Sequence, residues 1–149
     1  MTITSIESRL SVSGQPNEAE IADLAGKGFA LLINNRPEGE EPGQLGTEAE
    51  AEAAAARAAG LAYLHLPVTG PDITLDDIAQ FRDAVEGAPG PVLAHCRSGT
   101  RSLTLWALSE VLAGRLRRDD VAAYGRERGF DLSGAIRWLD AHGEGIVED

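Results

Sequence analysis

Three short apolar runs do most to set the architecture: FALLIN at residues 29–34, LAYLHLPV at 61–68 and PVLAH at 91–95. Each is apolar along most of its length, so each must be covered on both faces, which is the habit of parallel strands. Each also follows a segment with helical spacing, and such alternation predicts a parallel sheet wrapped by helices. In NEAEIADLAGKG (17–28), Ile21, Leu24 and Ala25 share a face behind Asn17, a good N-cap. TEAEAEAAAARAAG (47–60) is low in complexity, yet alanine is the strongest helix former. Thr47 with Glu50 predicts a capping box there, and Gly60 a stop. TLDDIAQFRDAVEG (74–87) carries Leu75, Ile78, Phe81 and Val85 behind a second box, Thr74 with Asp77, and Gly87 as its stop.

Beyond Arg101 the pattern is helical throughout. SLTLWALSEVLAG ends at Gly114, RDDVAAYGRERG opens on acidic residues and ends at Gly129, and LSGAIRWLDAHG runs from a Ser133 cap to Gly143. Trp106, Leu108, Ile136, Trp138 and Leu139 are assigned to packing by their ordinary burial habits. The expectation is one α/β domain over residues 1–149, with a parallel sheet of four or five strands flanked by helices.

Composition narrows the functional classes. With 149 residues, 43% of them hydrophobic, the chain suits a single core. No run approaches the ~18 apolar residues of a membrane span, and MTITSIESRL has neither a basic start nor an apolar h-region. A single cysteine excludes an internal disulfide, and three histidines at unrelated spacings argue against structural zinc. No metal or cofactor is therefore expected, and a reducing cytoplasm is the natural setting. The net charge of −11 is uneven: residues 1–95 hold five Lys/Arg against fifteen Asp/Glu, residues 96–149 eight against nine. So acidic a surface argues against nucleic acid. It leaves room for a small anion at a local positive site, and Arg97 and Arg101 flank the only cysteine.

The stretch PVLAHCRSGTRS (91–102) reads as a strand, then Cys96, a loop with Ser98 and Gly99, and a helix opening near Thr100 to Ser102. Open α/β sheets bind ligands at the carboxyl ends of their strands. Amides converging at a helix N-terminus attract an anion, and a glycine lets the loop curl without a steric penalty. In such a setting a thiol, ordinarily near ~8.5, is expected to fall to roughly 3.5–7.5 and rest as the thiolate. Arg101 can hold two oxygens of an oxyanion in its planar fork. Ser102 can offer its hydroxyl to the sulfur. A merely structural thiol explains none of these polar neighbours, so Cys96 reads as a nucleophile toward phosphorus or sulfur.

HCRSGTRS matches the HCxxGxxR[ST] signature of cysteine-dependent protein tyrosine and dual-specificity phosphatases. With SVSGQP, LLINNRPEGEE, YLHLPV and VLAHCRSGTRSLTLWAL in that order between about residue 10 and residue 112, the chain resembles the beta-lactamase-hydrolase-like phosphatase family, small bacterial domains of the dual-specificity type. The resemblance implies phosphate monoester hydrolysis, on phosphotyrosine-like aryl phosphates of a protein or small molecule, through a Cys96 phosphocysteine. It implies that Arg101 and the amides of Arg97, Ser98, Gly99 and Thr100 bind the phosphoryl oxygens. Ser102 would help the thiolate leave, and His95 would orient the loop.

The pattern departs from the family at one place. In PVTGPDIT the position aligned with the general-acid aspartate is Gly70, and the nearest carboxylate is Asp72, a candidate acid or a plain turn residue beside Pro71. Asp76 and Asp77 are accounted for by the following helix's first turn. Arg36 is a candidate for a positive pocket rim, or a solvated turn residue before Pro37. CRSGTRS also resembles small rhodaneses, which carry sulfur as a cysteine persulfide, although their D-x-R and GHIxGA segments are missing. Because family relatives are joined to persulfide-dioxygenase-like domains, sulfurtransfer through Cys96 stands as the alternative, with a link to persulfide metabolism. A non-catalytic domain binding a phosphorylated partner is a third class.

Overall fold

The computed structural model describes residues 1–142. Five strands form one sheet: β1 (Ile3–Glu7), β2 (Leu10–Ser13), β3 (Leu31–Asn34), β4 (Ala62–His65) and β5 (Val92–His95), in the spatial order β1-β2-β5-β3-β4. The last three are the strands expected from the apolar runs. They pair in parallel, and β2 also runs parallel to β5, but β1 pairs antiparallel with β2. The sheet is therefore mixed rather than purely parallel. A hairpin over Ser8 and Arg9 supplies the antiparallel edge, and β1 buries only Ile6, as an outer strand can. Arg9 in that turn donates to the carbonyls of Val85 and Ala88 near the end of helix α3 (Leu75–Gly87).

The other helices are α1 (Glu18–Leu24), α2 (Glu48–Ala58), α4 (Thr100–Leu112), α5 (Val121–Glu127) and α6 (Ser133–His142). Side-chain alternation along the strands splits the core. Leu32 and Leu93 meet Ile21, Leu24, Ala56 and Leu61 on the α1–α2 side. Ile33, Val92 and Ala94 meet Phe81, Leu103, Trp106, Trp138 and Leu139 on the other. The five residues assigned to packing do pack there; Ile136 is partly buried, and Trp138 donates from Nε1 to the Ile73 carbonyl at 2.8 Å.

The helix caps repeat the sequence pattern in part. Asn17 with Glu20, and Thr74 with Asp77, form reciprocal capping boxes. Thr47 forms none: the next residue, Glu48, turns its carboxylate onto the amides of Gly39, Leu45 and Gly46 and ties down the preceding loop instead. Ser133 is the first residue of α6 rather than its cap, and its amide donates to Asp131 Oδ1 at 2.9 Å. The expected stop at Gly143 lies outside the described residues. No described helix is long and apolar enough to cross a membrane.

Register places the site. Ser13 pairs with His95, His95 with Asn34 and Asn34 with His65, so four strands end level at one edge of the sheet. The residues that follow them, Gly14, Cys96, Asn35 and Leu66, converge there.

Candidate active site

Cys96 leaves the central strand fully inside the protein, 1% exposed, with its amide on the Ser13 carbonyl at 3.3 Å. Its sulfur accepts the Gly99 N–H at 3.0 Å, so the loop from 96 to 99 curls around the thiol. Two glycines make that curl possible. Gly99 has φ +99°, with Phe130 packed where a Cβ would stand, 3.1 Å away. A Cβ on Gly14 would meet the Arg97 carbonyl at 2.9 Å, so the β2–α1 turn lies directly against the loop backbone. Gly99 is also the residue preceding α4 and provides no side-chain cap. The first-turn amides of α4 have no intrahelical acceptors, which leaves them directed at the loop's interior.

Arg101 sits on the first turn of α4. Glu40 binds it end-on, through Nη1 at 2.8 Å and Nη2 at 3.0 Å, and the Val68 carbonyl takes a further Nη1 proton at 3.1 Å. A guanidinium has five N–H groups in a fixed plane. Three are engaged, and the two left over, Nε–H and the second Nη2–H, are parallel neighbours with no partner among the described residues. That edge is a ready-made bidentate donor for an oxyanion.

Arg36 is not a rim charge. It is buried, 6% exposed, and its guanidinium donates to Glu40 at 2.8 Å, Glu41 at 2.7 Å and Gln15 Oε1 at 3.0 Å. The two glutamates four and five residues on neutralise it, which is why it turns inward. The hydrogen bond from Arg101, opposed by desolvation and reinforced by Arg36, holds the Glu40 carboxyl below the ordinary carboxylate range. Arg36 thus braces the carboxylate that braces Arg101.

Behind the loop, His95 is completely buried and meets Glu52 of α2 at 2.6 Å through Nε2, with Nδ1 3.3 Å from the Cys96 carbonyl. Glu52 also accepts from Gln15 at 2.9 Å and from the Tyr63 hydroxyl at 3.2 Å, and Tyr63 in turn accepts from Asn34 at 2.9 Å. Burial alone would raise the Glu52 carboxyl, but His95, with Gln15 and Tyr63, outweighs it and holds Glu52 below its usual value. Burial and the Glu52 charge push the Tyr63 phenol upward. None of Glu52, Gln15 and Tyr63 was singled out from sequence. α2 carries alternating glutamates, and only the tertiary position of one turns it inward.

Ser102 is buried and donates its single hydroxyl proton to Asn35 Oδ1 at 2.7 Å, not to the sulfur as expected. Asn35 is fixed by its amide on the His95 carbonyl at 2.8 Å and by Nδ2 on the Leu66 carbonyl at 2.8 Å. Arg97 is exposed and 3.8 Å from Glu41, while Ser98 and Thr100 approach each other at 3.3 Å through their hydroxyls. Asp72 closes a 3-10 turn at Gly70–Asp72, exposed, accepting from Thr69 at 2.9 Å. Cys96, Arg101, His95, Ser102 and the loop amides thus meet at one edge. Asp72 stands on the turn that follows Val68. Among the described residues no group of His, Cys, Asp and Glu is placed to hold a metal ion.

The helix-covered sheet with this loop at its carboxyl edge has a protein tyrosine phosphatase-like fold. The crystal structure of Tk-PTP shares the fold, with a TM-score of 0.69, 21% identity and 97% of each chain covered. The chain belongs to the family of the beta-lactamase hydrolase-like protein, phosphatase-like domain, whose model matches residues 2–113. It is 52% identical over 140 residues to the beta-lactamase hydrolase-like protein of Xylella fastidiosa strain 9a5c, covering 94% of this chain and 32% of that protein. A candidate phosphatase of Neisseria meningitidis Z2491 is similar in structure, with a TM-score of 0.80, 31% identity, and 95% and 98% of the two chains covered. The chain spans about a third of the length of the curated relatives it matches.

Proposed function

We propose that the domain hydrolyses phosphate monoesters through a phosphocysteine on Cys96. The observation that carries this is one loop that holds a buried sulfur on the Gly99 amide and, at its other end, leaves Arg101 Nε–H without a partner among the described residues. The sulfur attacks phosphorus, the bond from phosphorus to the ester oxygen breaks, and the leaving oxygen takes a proton. Water then attacks phosphorus, the P–S bond breaks, inorganic phosphate leaves and Cys96 returns as the thiolate. Arg101 and the amides of residues 97–101 hold the equatorial oxygens as charge shifts among them.

Asp72 is the proton donor in this scheme, carried by a turn whose base, Val68, already touches Arg101. An acid on an exposed turn favours esters whose leaving groups need little help, so aryl phosphates are the expected substrate class. Ser102 acts through Asn35, and Arg36 through Glu40. The competing reading is sulfur transfer through a Cys96 persulfide, which uses the same curled loop around the sulfur and needs no acid on the Gly70–Asp72 turn. One assay separates them. The protein is offered an aryl phosphate and, separately, thiosulfate with cyanide. Phosphate release abolished in Cys96→Ser supports the phosphatase. Thiocyanate formation without phosphate release replaces it with the sulfurtransferase, and neither product leaves a phospho-partner binding domain.

A further inference from the structure

We propose that Glu52 is a positioning residue for Cys96: its carboxylate keeps His95 as an imidazolium and so fixes a positive charge one residue from the sulfur. A neutral imidazole has one N–H and one acceptor nitrogen. Nδ1 of His95 faces the Cys96 carbonyl at 3.3 Å, which can only accept, so Nδ1 carries a proton. Nε2 faces Glu52 Oε2 at 2.6 Å, so the proton between them belongs either to an imidazolium or to a protonated Glu52.

The surroundings choose the ion pair. Gln15 Nε2 donates to Glu52 Oε1, and the Tyr63 hydroxyl, whose oxygen already accepts from Asn34, directs its proton to Oε2. Donors on both oxygens favour the carboxylate. A buried charge left without its partner is costly, so each member of the pair holds the other in its ionised form.

The charged and titratable groups near Cys96 include its loop neighbours Arg97 and Arg101, Tyr63 and His65 of β4, Arg36, Glu40 and Glu41 between β3 and α2, and Asp72. Of these, Arg36, Arg97 and Arg101 are already committed to Glu40 or Glu41. His65 Nε2 contacts the Arg36 carbonyl. The His95–Glu52 pair, by contrast, is buried and meets the loop at the Cys96 carbonyl.

The proposal takes its purpose from the phosphatase reading and its geometry from the buried network, so the two can fail separately. Nitrogen-15 NMR of the wild-type protein near neutral pH is expected to show His95 protonated on both nitrogens. Because Cys96 is the only cysteine, its alkylation by iodoacetamide can be followed alone against pH. In Glu52→Gln, which keeps the size but removes the charge and one acceptor oxygen, the midpoint of that profile is expected to rise by about one unit. In a His95→Gln background the same change should add nothing, as for residues acting in series. A neutral His95 in the wild type, an unshifted profile in folded Glu52→Gln, or a full shift persisting without His95 overturns the proposal. The NMR measurement needs no variant, so a misfolded Glu52→Gln leaves no gap. Should no phosphate ester be hydrolysed while the alkylation profile shifts as expected, the phosphatase reading falls and the role of Glu52 stands.

Discussion

The two ends of the loop are held by different means. At the Cys96 end four side chains are interior: His95 and Glu52 have side-chain exposures of 0% and 7%, and Asn35 and Ser102 are equally closed off. At the Arg101 end the partners reach solvent: Arg101 and Glu40 are 19% and 21% exposed, and Glu41 39%. Burial fixes Cys96, whereas a surface loop holds Arg101. The first arrangement resists its surroundings. The second can be shifted by salt, by substrate and by sequence change in residues 37–46.

The largest test of that contrast is Arg101→Ala. Loss of a preorganised oxyanion donor is expected to cut turnover of any ester by about 10²–10³-fold. Near-normal rates in a steady-state assay would remove Arg101 from the chemistry. Asp72→Asn should cost about 10²-fold on an alkyl phosphate and little on a nitrophenyl ester, and should flatten the alkaline limb of the pH–rate profile. No difference between the two esters reduces Asp72 to a turn residue. Glu40→Gln weakens the grip on Arg101 without touching Cys96, so kcat/KM is expected to fall about tenfold while alkylation of the thiol stays as in the wild type.

Raising salt to a Debye length of about 3 Å should mimic part of the Glu40 effect and leave the His95–Glu52 pair unmoved. The smallest effect concerns stability. A carboxyl held below its unfolded value, ordinarily about 4.5, contributes stability above that value and loses it as pH falls through the folded one. Thermal melts of wild type and Glu52→Gln should therefore separate above that range and converge on acidification. Curves that stay parallel down to the acid end would mean that Glu52 gives up no ionic stabilisation there.

What the residues alone disclosed follows the same divide. The apolar strands, the Asn17 and Thr74 caps and the Cys96–Arg101 loop are local signals, written within a dozen consecutive positions. The β1–β2 hairpin was missed because ITSIE and LSVS are short and serine-bearing, with one buried residue in the outer strand. Arg36 was misplaced because a cation before a proline reads as solvated unless its acidic neighbours fold back on it. Glu52 lies 43 positions from His95, and nothing in an alanine-rich helix marks which glutamate will face a histidine across the sheet.

Gly14 and Gly99 have a consequence for how such a domain can diversify. A side chain at either position collides with backbone or with Phe130, and Gly99 also holds a left-handed conformation. The Cys96 loop and the turn packed on it are thus closed to mutational exploration. Sequence change has more room on the turn that carries Asp72, where a Cβ on Gly70 would meet nothing within 4 Å.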